Sequence, residues 1–419
     1  MPELLRDVLL LQKREFDLRL RERYVPRDVP PQDGSQDLVR VIMGPRRAGK
    51  SLYAIHLVHG FGRHGYVNFD DERLADLRET GRLQAAIDSV YDHPKHLLLD
   101  EVQNVPRWEL LVNRLQRQGY RLTITGSNAH LLSSELATHL TGRHLPVVLF
   151  PFSFAEFLRC SDKGLTEPEK AEAVHRYAEV GGYPEPLLKG VDRREYLRTL
   201  LRSVLYKDIV VRHRIRSPQG LDDLAACLLS SVAREYASRR IAEATRLGST
   251  HTVGKYVAYL EEAFVLFRLR RFSWKVREQT RANRKVFCTD NGLLTTTSFR
   301  VGAGTGTLFE NMVAVRLRKE EMEGKIDLYF WKGPRDEEVD FVIKRGPRVE
   351  LLLQVCADVT DPRTREREVR ALLKASSELR CKELVVLTDA EEREEEASWF
   401  GHRGRVRYVP LWKWLIEPT

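Results

Sequence analysis

One eight-residue segment constrains the fold of this chain more than any other feature. Residues 44–51 read Gly-Pro-Arg-Arg-Ala-Gly-Lys-Ser and match the pattern G-x-x-x-x-G-K-[ST] at every position. An apolar run, 38–43, precedes the segment, and Leu52, Ile55 and Val58 follow it at helical spacing. A strand, a glycine-rich loop and a helix in this order are typical of a phosphate-binding loop in a parallel α/β fold.

The residue types of this loop suit the phosphates of a nucleotide. Its glycines allow backbone N–H groups to turn toward phosphate oxygens, and the start of the helix adds a favourable partial charge. Lys50 can reach the β- and γ-phosphates, and the Ser51 hydroxyl can ligate Mg²⁺. The loop therefore predicts ATP and Mg²⁺ as cofactors. The predicted nucleotide-binding residues are Gly44, Pro45, Arg46, Arg47, Ala48, Gly49, Lys50, Ser51 and Leu52.

Two adjacent carboxylates follow a run of three leucines in residues 96–101. The leucines predict a buried strand, which places Asp100 and Glu101 at its carboxyl end. We expect Asp100 to hold Mg²⁺, commonly through water, and Glu101 to orient and polarise the water that attacks ATP. The pair favours hydrolysis over simple nucleotide storage. The sequence thus predicts a Mg²⁺-dependent ATPase in which Lys50 and Glu101 are catalytic.

Two further polar residues are catalytic candidates. Asn128 follows the next apolar run, 121–125, where a polar side chain can sense the γ-phosphate or position water, with Ser127 beside it. The alternative is a residue that caps the next helix. Arg143 precedes the fifth apolar run and can neutralise transition-state charge in its own subunit or in a neighbour's. An ordinary arginine at a helix terminus explains it nearly as well.

Positive charge is concentrated in the middle of the chain. The whole chain has 69 Lys and Arg against 60 Asp and Glu, whereas residues 191–300 alone have 22 against 11. Such a block is typical of a polyanion-binding module, although a solvated arginine-rich surface is an equally good interpretation.

Residues 238–260 resemble a helix-turn-helix, with Gly248 in the turn and Ser249 as the N-cap of the second helix. A strand-like segment, 264–272, follows as a wing. In a winged helix-turn-helix the second helix faces the major groove and basic wing residues touch phosphates. The alternative is a packing or oligomerisation module. The predicted DNA-binding residues are Arg239, Arg240, Thr250, His251, Thr252, Lys255, Tyr256, Arg268, Arg270 and Arg271.

A set of motifs in a fixed order identifies a family resemblance. The set comprises GPRRAGKS, HLLLDEVQNVPRW, TITGSNAHLLSSELATHLTGR, PFSFAEFL, GGYPE, VLYKDIV, DNGL, FEN and EVDF. Together they resemble the AAA-type ATPases with the AAA_14/DUF4143 architecture, over residues from about 36 to 390. The resemblance implies a P-loop core with an additional strand, a helical middle and a nuclease-like C-terminal fold.

The C-terminal region resembles the PD-(D/E)XK nuclease core in the order of Glu310, Asp340 and the tripeptide 354–356. The tripeptide reads Gln-Val-Cys, so that an amide, Gln354, replaces the second carboxylate and Cys356 replaces the lysine. A metal-dependent nuclease needs carboxylates for Mg²⁺ and a lysine to assist water or phosphate. We therefore expect a degenerate, inactive nuclease site, with Lys344 as one conceivable replacement for the lysine.

These observations predict an α/β fold: a P-loop ATPase core with a parallel sheet, then a helical lid, a winged helix-turn-helix and a degenerate nuclease-like α/β domain. The acidic run 391–396 is expected to form a solvated helix face. The predicted regions are an N-terminal helix and linker, the ATPase core, the helical subdomain, the winged helix and the nuclease-like domain, at residues 1–35, 36–152, 153–218, 219–284 and 285–419.

The leading functional hypothesis is an ATPase that acts on duplex or branched DNA. Its sharpest form is a translocase, helicase or branch-migration motor in recombination or repair, assembled as a homo-oligomeric ring such as a hexamer if Arg143 acts in trans. The alternatives are an ATP-dependent regulatory switch that binds DNA or protein without translocation, and an ATP-dependent nuclease. No apolar run is long enough for a membrane span, and the five separated cysteines have no zinc-ligand spacing, so we expect a cytoplasmic protein without a membrane partner.

Overall fold

The computed structural model of the chain describes residues 2–29, 38–74, 80–127, 144–161, 164–297 and 304–417. The chain divides into two units, Met1–Phe150 and Pro151–Thr419. Among the described helices, none combines the length and the apolar character needed to cross a membrane.

The first unit is built on a parallel sheet of five strands in the order β2-β3-β4-β1-β5. Every residue of β1 and β3 is buried, which explains why apolar side chains make up most of both strands: a parallel sheet is covered on both faces. The strands are β1 Val39–Met43, β2 His64–Asn68, β3 His96–Asp100, β4 Arg121–Gly126 and β5 His144–Val148.

Among the described residues of the first unit, four helices pack on or beside this sheet. The apolar side chains of the fourth helix recur at helical spacing, so that Trp108, Leu111, Val112 and Leu115 are buried on one face. The helices are α1 Pro2–Leu20, α2 Lys50–His59, α3 Thr80–Tyr91 and α4 Trp108–Arg117, and the short 3-10 turns are Glu72–Leu74 and Val102–Asn104.

The strand order places the two predicted halves of the nucleotide site at one edge of the sheet. Strand β4 lies between β3 and β1, so the loop after β1 and the carboxylates after β3 flank its carboxyl end. This is the additional-strand arrangement expected from the resemblance, and the predicted α/β fold class with a parallel P-loop sheet is confirmed.

The second unit contains a mixed sheet of nine strands in the order β13-β14-β12-β11-β10-β9-β7-β8-β6. The pairs β7–β9, β11–β12 and β12–β14 are parallel, and the others are antiparallel. The strands are β6 Arg234–Tyr236, β7 Leu266–Arg271, β8 Arg284–Cys288, β9 Asp327–Lys332, β10 Glu338–Arg345, β11 Arg348–Val355, β12 Leu384–Thr388, β13 Arg393–Trp399 and β14 His402–Pro410.

The helices of the second unit precede the sheet in sequence or connect its strands, except the last one, which follows the final strand. A π-helix, Val204–Val211, continues one of them. The helices are α5 Phe154–Leu158, α6 Glu167–Val180, α7 Pro184–Leu188, α8 Arg193–Ser203, α9 Pro218–Leu229, α10 Ser238–Ala244, α11 Thr250–Glu262, α12 Val276–Arg281, α13 Asn291–Thr297, α14 Thr305–Met322, α15 Pro362–Leu379 and α16 Leu411–Ile416.

The helix pair α10 and α11 lies where the sequence places a helix-turn-helix. Ser249 caps α11, because its Oγ accepts the backbone N–H of Thr252 at 3.1 Å, and Gly248 has φ +73 in the turn. The strand expected as a wing, β7, pairs with β8 on one side and β9 on the other. It is an internal strand of the large sheet, and the expected domain boundary after residue 284 falls within β8.

The acidic run 391–396 does not form the expected helix face; most of it lies in β13. Arg405 on β14 donates to Glu394 at 2.6 Å, and the Tyr408 hydroxyl donates to Glu395 at 2.7 Å. Glutamate favours helices in isolation, but partners on the adjacent strand stabilise an extended conformation here. The helix prediction was wrong because those partners follow later in the chain.

A buried polar network connects three of the sequence motifs in the second unit. Asn311 accepts the N–H of Cys288 at 2.8 Å and donates to the Cys288 carbonyl at 3.0 Å and to Asn291 Oδ1 at 2.8 Å. Asp290 accepts the N–H of Gly182 at 2.7 Å. The motifs GGYPE, DNGL and FEN therefore meet in the core, where their polar groups satisfy one another.

Replacing Asn311 with alanine should lower the free energy of unfolding of the second unit by about 2–4 kcal/mol, because buried backbone groups of Cys288 lose their partners. Denaturant titration measures this loss. The matched control is Asn283→Ala, at an exposed position, which should stay within about 0.5 kcal/mol of the wild type. Equal stability of the two variants would contradict the structural role of the network.

Candidate nucleotide site and charged surfaces

The loop between β1 and α2 has the backbone of a phosphate-binding loop. Gly44 has φ +150, and a Cβ there would lie 1.9 Å from the Leu149 carbonyl oxygen, so no larger residue fits. Gly49 has φ +91 and directly precedes the first residue of α2. Lys50 Nζ donates to the Pro45 carbonyl at 2.8 Å across the loop. The loop thus brings together the N-terminus of α2 and the ammonium of Lys50. Both carry positive charge or partial charge, which suits an anionic ligand.

Asp100 is the buried centre of the site. Its Oδ1 accepts the Ser51 hydroxyl at 3.0 Å and the Thr125 hydroxyl, and its Oδ2 accepts the Tyr66 hydroxyl at 3.3 Å. Burial, and then the charge of Glu101, raise the pKa of Asp100. A cation bound beside this carboxylate would favour its ionised form.

Glu101 is oriented by its neighbours. Its backbone has φ +52, and its N–H donates to Thr125 Oγ1 at 3.0 Å. Its carboxylate accepts the Gln103 amide and, at 3.3 Å, the Ser127 hydroxyl. A left-handed conformation is uncommon for glutamate and points to a functional constraint on the direction of this side chain. The carboxylate is suited to the role of general base.

The donor set around Asp100 suits a divalent cation. Ser51 Oγ and Asp100 Oδ1 lie 3.0 Å apart, and both are oxygen ligands of the kind that Mg²⁺ prefers. Lys50, Ser51, Asp100 and Glu101 therefore lie together as the sequence predicted. Asn128 and Arg143 are outside the described residues.

Several residues of this site carry no motif signal. Tyr66 and Thr125 bind Asp100 from the neighbouring strands β2 and β4. Arg27 donates to the Ala48 carbonyl at 2.7 Å and to the Phe150 carbonyl at 2.6 Å, which ties the N-terminal segment to the loop. Alternation of polar residues along β4 offered a weak signal for Thr125, and nothing in the sequence marked Arg27.

The predicted DNA-binding residues divide into exposed and packed groups. Tyr256 is only 8% exposed and belongs to the core, and Arg268 is paired with Glu261. Arg271 donates to the Lys332 carbonyl at 2.5 Å. Thr252 is half-buried, and its backbone N–H donates to the N-cap of α11. The exposed members are Arg239, Arg240, Thr250, His251, Lys255 and Arg270.

A basic segment with an exposed aromatic residue follows β7. Residues 270–284 contain six basic side chains and one acidic one, Glu278. Trp274 is 57% exposed in this segment. Burial, and then the guanidinium groups of Arg268 and Arg270, lower the pKa of Arg284. These cations are close enough to repel one another, and an anionic partner would relieve that repulsion. We call residues 270–284 the basic segment; the sequence prediction included only its first two residues.

The residues that the sequence analysis assigned to a degenerate nuclease site also come together. Glu310 on α14 and Asp340 on β10 both contact the ammonium of Lys285, at 3.0 and 3.2 Å. Gln354 accepts the backbone N–H of Asp340 at 3.1 Å. Lys344 pairs instead with Asp327 at 2.9 Å. Glu310 and Asp340 therefore lie around one lysine, Lys285, which the sequence analysis did not single out.

Three family models match the chain in sequence order. An AAA domain matches residues 36–158, a domain of unknown function (DUF8612) matches residues 171–302, and another (DUF4143) matches residues 305–414. The first match contains the phosphate-binding loop and both carboxylates of the nucleotide site. The last contains Glu310, Asp340 and Gln354.

Relatives align with most of the chain. An uncharacterized protein of Methanocaldococcus jannaschii is 31% identical over 397 residues, which cover 90% of this chain and 88% of the relative. An uncharacterized protein of Haemophilus influenzae is 26% identical over 360 residues, which cover 81% of this chain and 87% of the relative. Among solved structures, a Walker-type ATPase of Pyrococcus abyssi is 15% identical, with a TM-score of 0.39, covering 67% of this chain and 99% of that one.

Replacing Lys50 with alanine should weaken ATP binding by about tenfold to 100-fold, because a charged donor to the phosphates is lost. Titration with a fluorescent ATP analogue measures the affinity. The control is Lys95→Ala, an exposed lysine just before β3 at the opposite end of the sheet. If both variants bind ATP as the wild type does, the loop is not the nucleotide site.

Proposed function

Because the chain belongs to the AAA-type P-loop ATPases with the AAA_14/DUF4143 architecture, we propose that it is a Mg²⁺-dependent ATPase that acts on DNA. The observation that carries the ATPase part is the arrangement of Ser51, Asp100 and Glu101 at one edge of the parallel sheet. The observation that carries the DNA part is the basic segment with its exposed tryptophan.

The nucleotide-binding step begins with a change at Lys50. Its ammonium donates to the Pro45 carbonyl, and the β- and γ-phosphates of ATP offer stronger, charged acceptors. Binding therefore exchanges a hydrogen bond within the loop for one to the nucleotide. Ser51 and Asp100 would hold Mg²⁺, which supplies charge neutralisation at the phosphates.

Hydrolysis depends on Glu101. Its carboxylate accepts a proton from the attacking water and orients that water toward the γ-phosphate. Ser127 and Gln103 hold the carboxylate in place before the reaction, which reduces the reorganisation it needs. We assign Asn128 to sensing the γ-phosphate and Arg143 to charge neutralisation in the transition state, from its own subunit or a neighbouring one.

DNA binding is assigned to the basic segment together with the exposed residues of α10 and α11. Lys and Arg side chains neutralise backbone phosphates without reading sequence. Trp274 supplies a flat, exposed surface on which an unstacked base can lie. This combination suits duplex DNA that also exposes unstacked bases, as a branched substrate does. The sharpest version of the proposal is a ring-forming motor, such as a hexamer, that translocates, unwinds or branch-migrates DNA in recombination or repair.

A regulatory switch that binds DNA or protein without translocation is the second candidate. It is favoured by the packing of Tyr256 into the core and by the pairing of Arg268 with Glu261, which remove two residues expected to touch DNA. The internal position of β7 adds to this, because an internal strand cannot project as a wing. A motor and a switch differ in whether DNA accelerates ATP turnover.

The motor predicts that a four-way junction or duplex DNA raises ATP turnover several-fold, and that raising salt from about 50 to 200 mM suppresses the effect, because phosphate contacts release counterions. Turnover is measured with no DNA, single strand, duplex and junction. Turnover that is indifferent to every DNA would overturn the motor and favour the switch with a protein partner.

The double variant Trp274→Ala/Arg277→Ala should bind DNA more weakly, because it loses one stacking surface and one phosphate contact. The DNA concentration that half-saturates binding should rise by about tenfold or more. The matched control is Phe400→Ala/Arg348→Ala, which removes an aromatic residue that is 88% exposed and an exposed arginine outside the basic segment. An equal shift in both double variants would show that the basic segment is not the DNA-binding surface.

A further inference from the structure

A lysine occupies the centre of the acidic cluster in the second unit. Lys285 Nζ lies 3.0 Å from Glu310 Oε1, 2.6 Å from Glu338 Oε1 and 3.2 Å from Asp340 Oδ1. The Lys285 side chain is only 2% exposed. Its ammonium has three N–H donors, and three carboxylates accept them. The cation is therefore fully coordinated by side chains of the chain itself.

The three carboxylates come from separate elements that Lys285 joins. Lys285 is on β8, Glu310 is on α14, and Glu338 and Asp340 are on β10. Asp340 is also held from the other side, because its Oδ2 accepts the backbone N–H of Val355 at 3.0 Å. Without a cation at their centre, these closely grouped carboxylates would repel one another.

The electrostatic behaviour of the cluster agrees with an internal cation. Although burial opposes its charge, the carboxylates of Glu310, Asp340 and Glu338 raise the pKa of Lys285 well above its usual range. Burial, and then Asp340, raise the pKa of Glu310, while Lys285 opposes that rise. The lysine thus stays charged and partly compensates a surplus of acidic groups.

The polar side chains next to the cluster also have hydrogen-bond partners within the chain, without a metal. Gln354 donates its amide to Glu368 at 2.5 Å and accepts the Asp340 N–H at 3.1 Å. Across the residues that the structure describes, no three His, Cys, Asp or Glu side chains are placed to hold a metal ion. Carboxylate oxygens are nevertheless the donors that a divalent cation takes, so the side chains around Lys285 are of the right chemical type for one.

We propose that Lys285 is the resident cation of this cluster: its ammonium takes the place of a divalent metal, and removing it uncovers a metal site formed by Glu310, Glu338 and Asp340. The second unit then keeps its fold without a metal, and phosphodiester chemistry that needs a divalent ion at this position is blocked. This inference concerns only the second unit and does not depend on the proposed action on DNA.

Two substitutions in the full-length protein separate the charge of Lys285 from its volume. Lys285→Ser removes the ammonium and leaves space, whereas Lys285→Met removes the charge but fills the space. Both should lower the melting temperature by about 5–10 °C in metal-free buffer, because the grouped carboxylates lose their counter-ion. Mn²⁺ should restore the melting temperature of Lys285→Ser and leave that of Lys285→Met low. The matched control is Lys344→Ser, which breaks the half-exposed ion pair with Asp327. Its melting temperature should stay close to that of the wild type in metal-free buffer and should not rise with Mn²⁺.

Mn²⁺ binding, measured by electron paramagnetic resonance without nucleotide, tests the site itself. Lys285→Ser should bind one Mn²⁺ per chain more than the wild type, and Lys285→Ser/Asp340→Asn should lose it. If Lys285→Ser folds poorly, the proposal predicts that it refolds only with Mn²⁺. Two outcomes overturn the proposal: a wild type that binds a Mn²⁺ which Asp340→Asn loses, or a Lys285→Ser variant that neither gains Mn²⁺ nor is stabilised by it.

Discussion

The nucleotide site depends on one buried carboxylate, that of Asp100. Side chains from three other segments donate to it: Tyr66 on β2, Thr125 on β4 and Ser51 at the start of α2. A burial of this depth is tolerated only because each oxygen is hydrogen-bonded. The strand order β2-β3-β4-β1 is what allows these donors to converge, so the fold of the first unit and its chemistry rest on the same contacts.

The two units stabilise their grouped carboxylates with different kinds of donor. Around Asp100 the donors are neutral hydroxyls, which leaves the negative charge available to an external cation that arrives with a nucleotide. Around Lys285 the donor is a full positive charge that belongs to the chain. The first arrangement suits a site that binds and releases its ligand. The second suits a site that stays closed, with a structural role.

Local patterns in the sequence were sufficient to place the loop and the two carboxylates of the first site, and long-range contacts limited the rest. Lys50 and Ser51 follow from a contiguous motif, and Asp100 follows from an apolar run that ends in acids. Tyr66 and Arg27 reach the site from 34 residues before Asp100 and from 21 residues before Ala48, with no motif to mark them. Lys285 is 25 residues from Glu310 and 55 from Asp340, so only the fold brings them together.

The secondary structure was also predictable where local patterns determine it and not where long-range contacts do. The five apolar runs of the first unit were predictable, because a parallel sheet buries both faces of its strands. The acidic strand β13 was not, because the arginine and tyrosine that hold its glutamates lie across the hairpin on β14. The position of β7 inside a sheet of nine strands was also beyond the sequence, since its parallel partner β9 begins about 55 residues later.

The most direct test of the account is ATP hydrolysis by Glu101→Gln, measured beside its affinity for ATP. The site predicts that turnover falls by about 100-fold or more while ATP binding is retained, because the general base is lost and the phosphate contacts are not. Glu109→Gln, in the first turn of α4, is the control and should hydrolyse ATP as the wild type does. A Glu101→Gln variant that hydrolyses ATP at the rate of the wild type would contradict the assignment of Glu101 and, with it, the proposed mechanism.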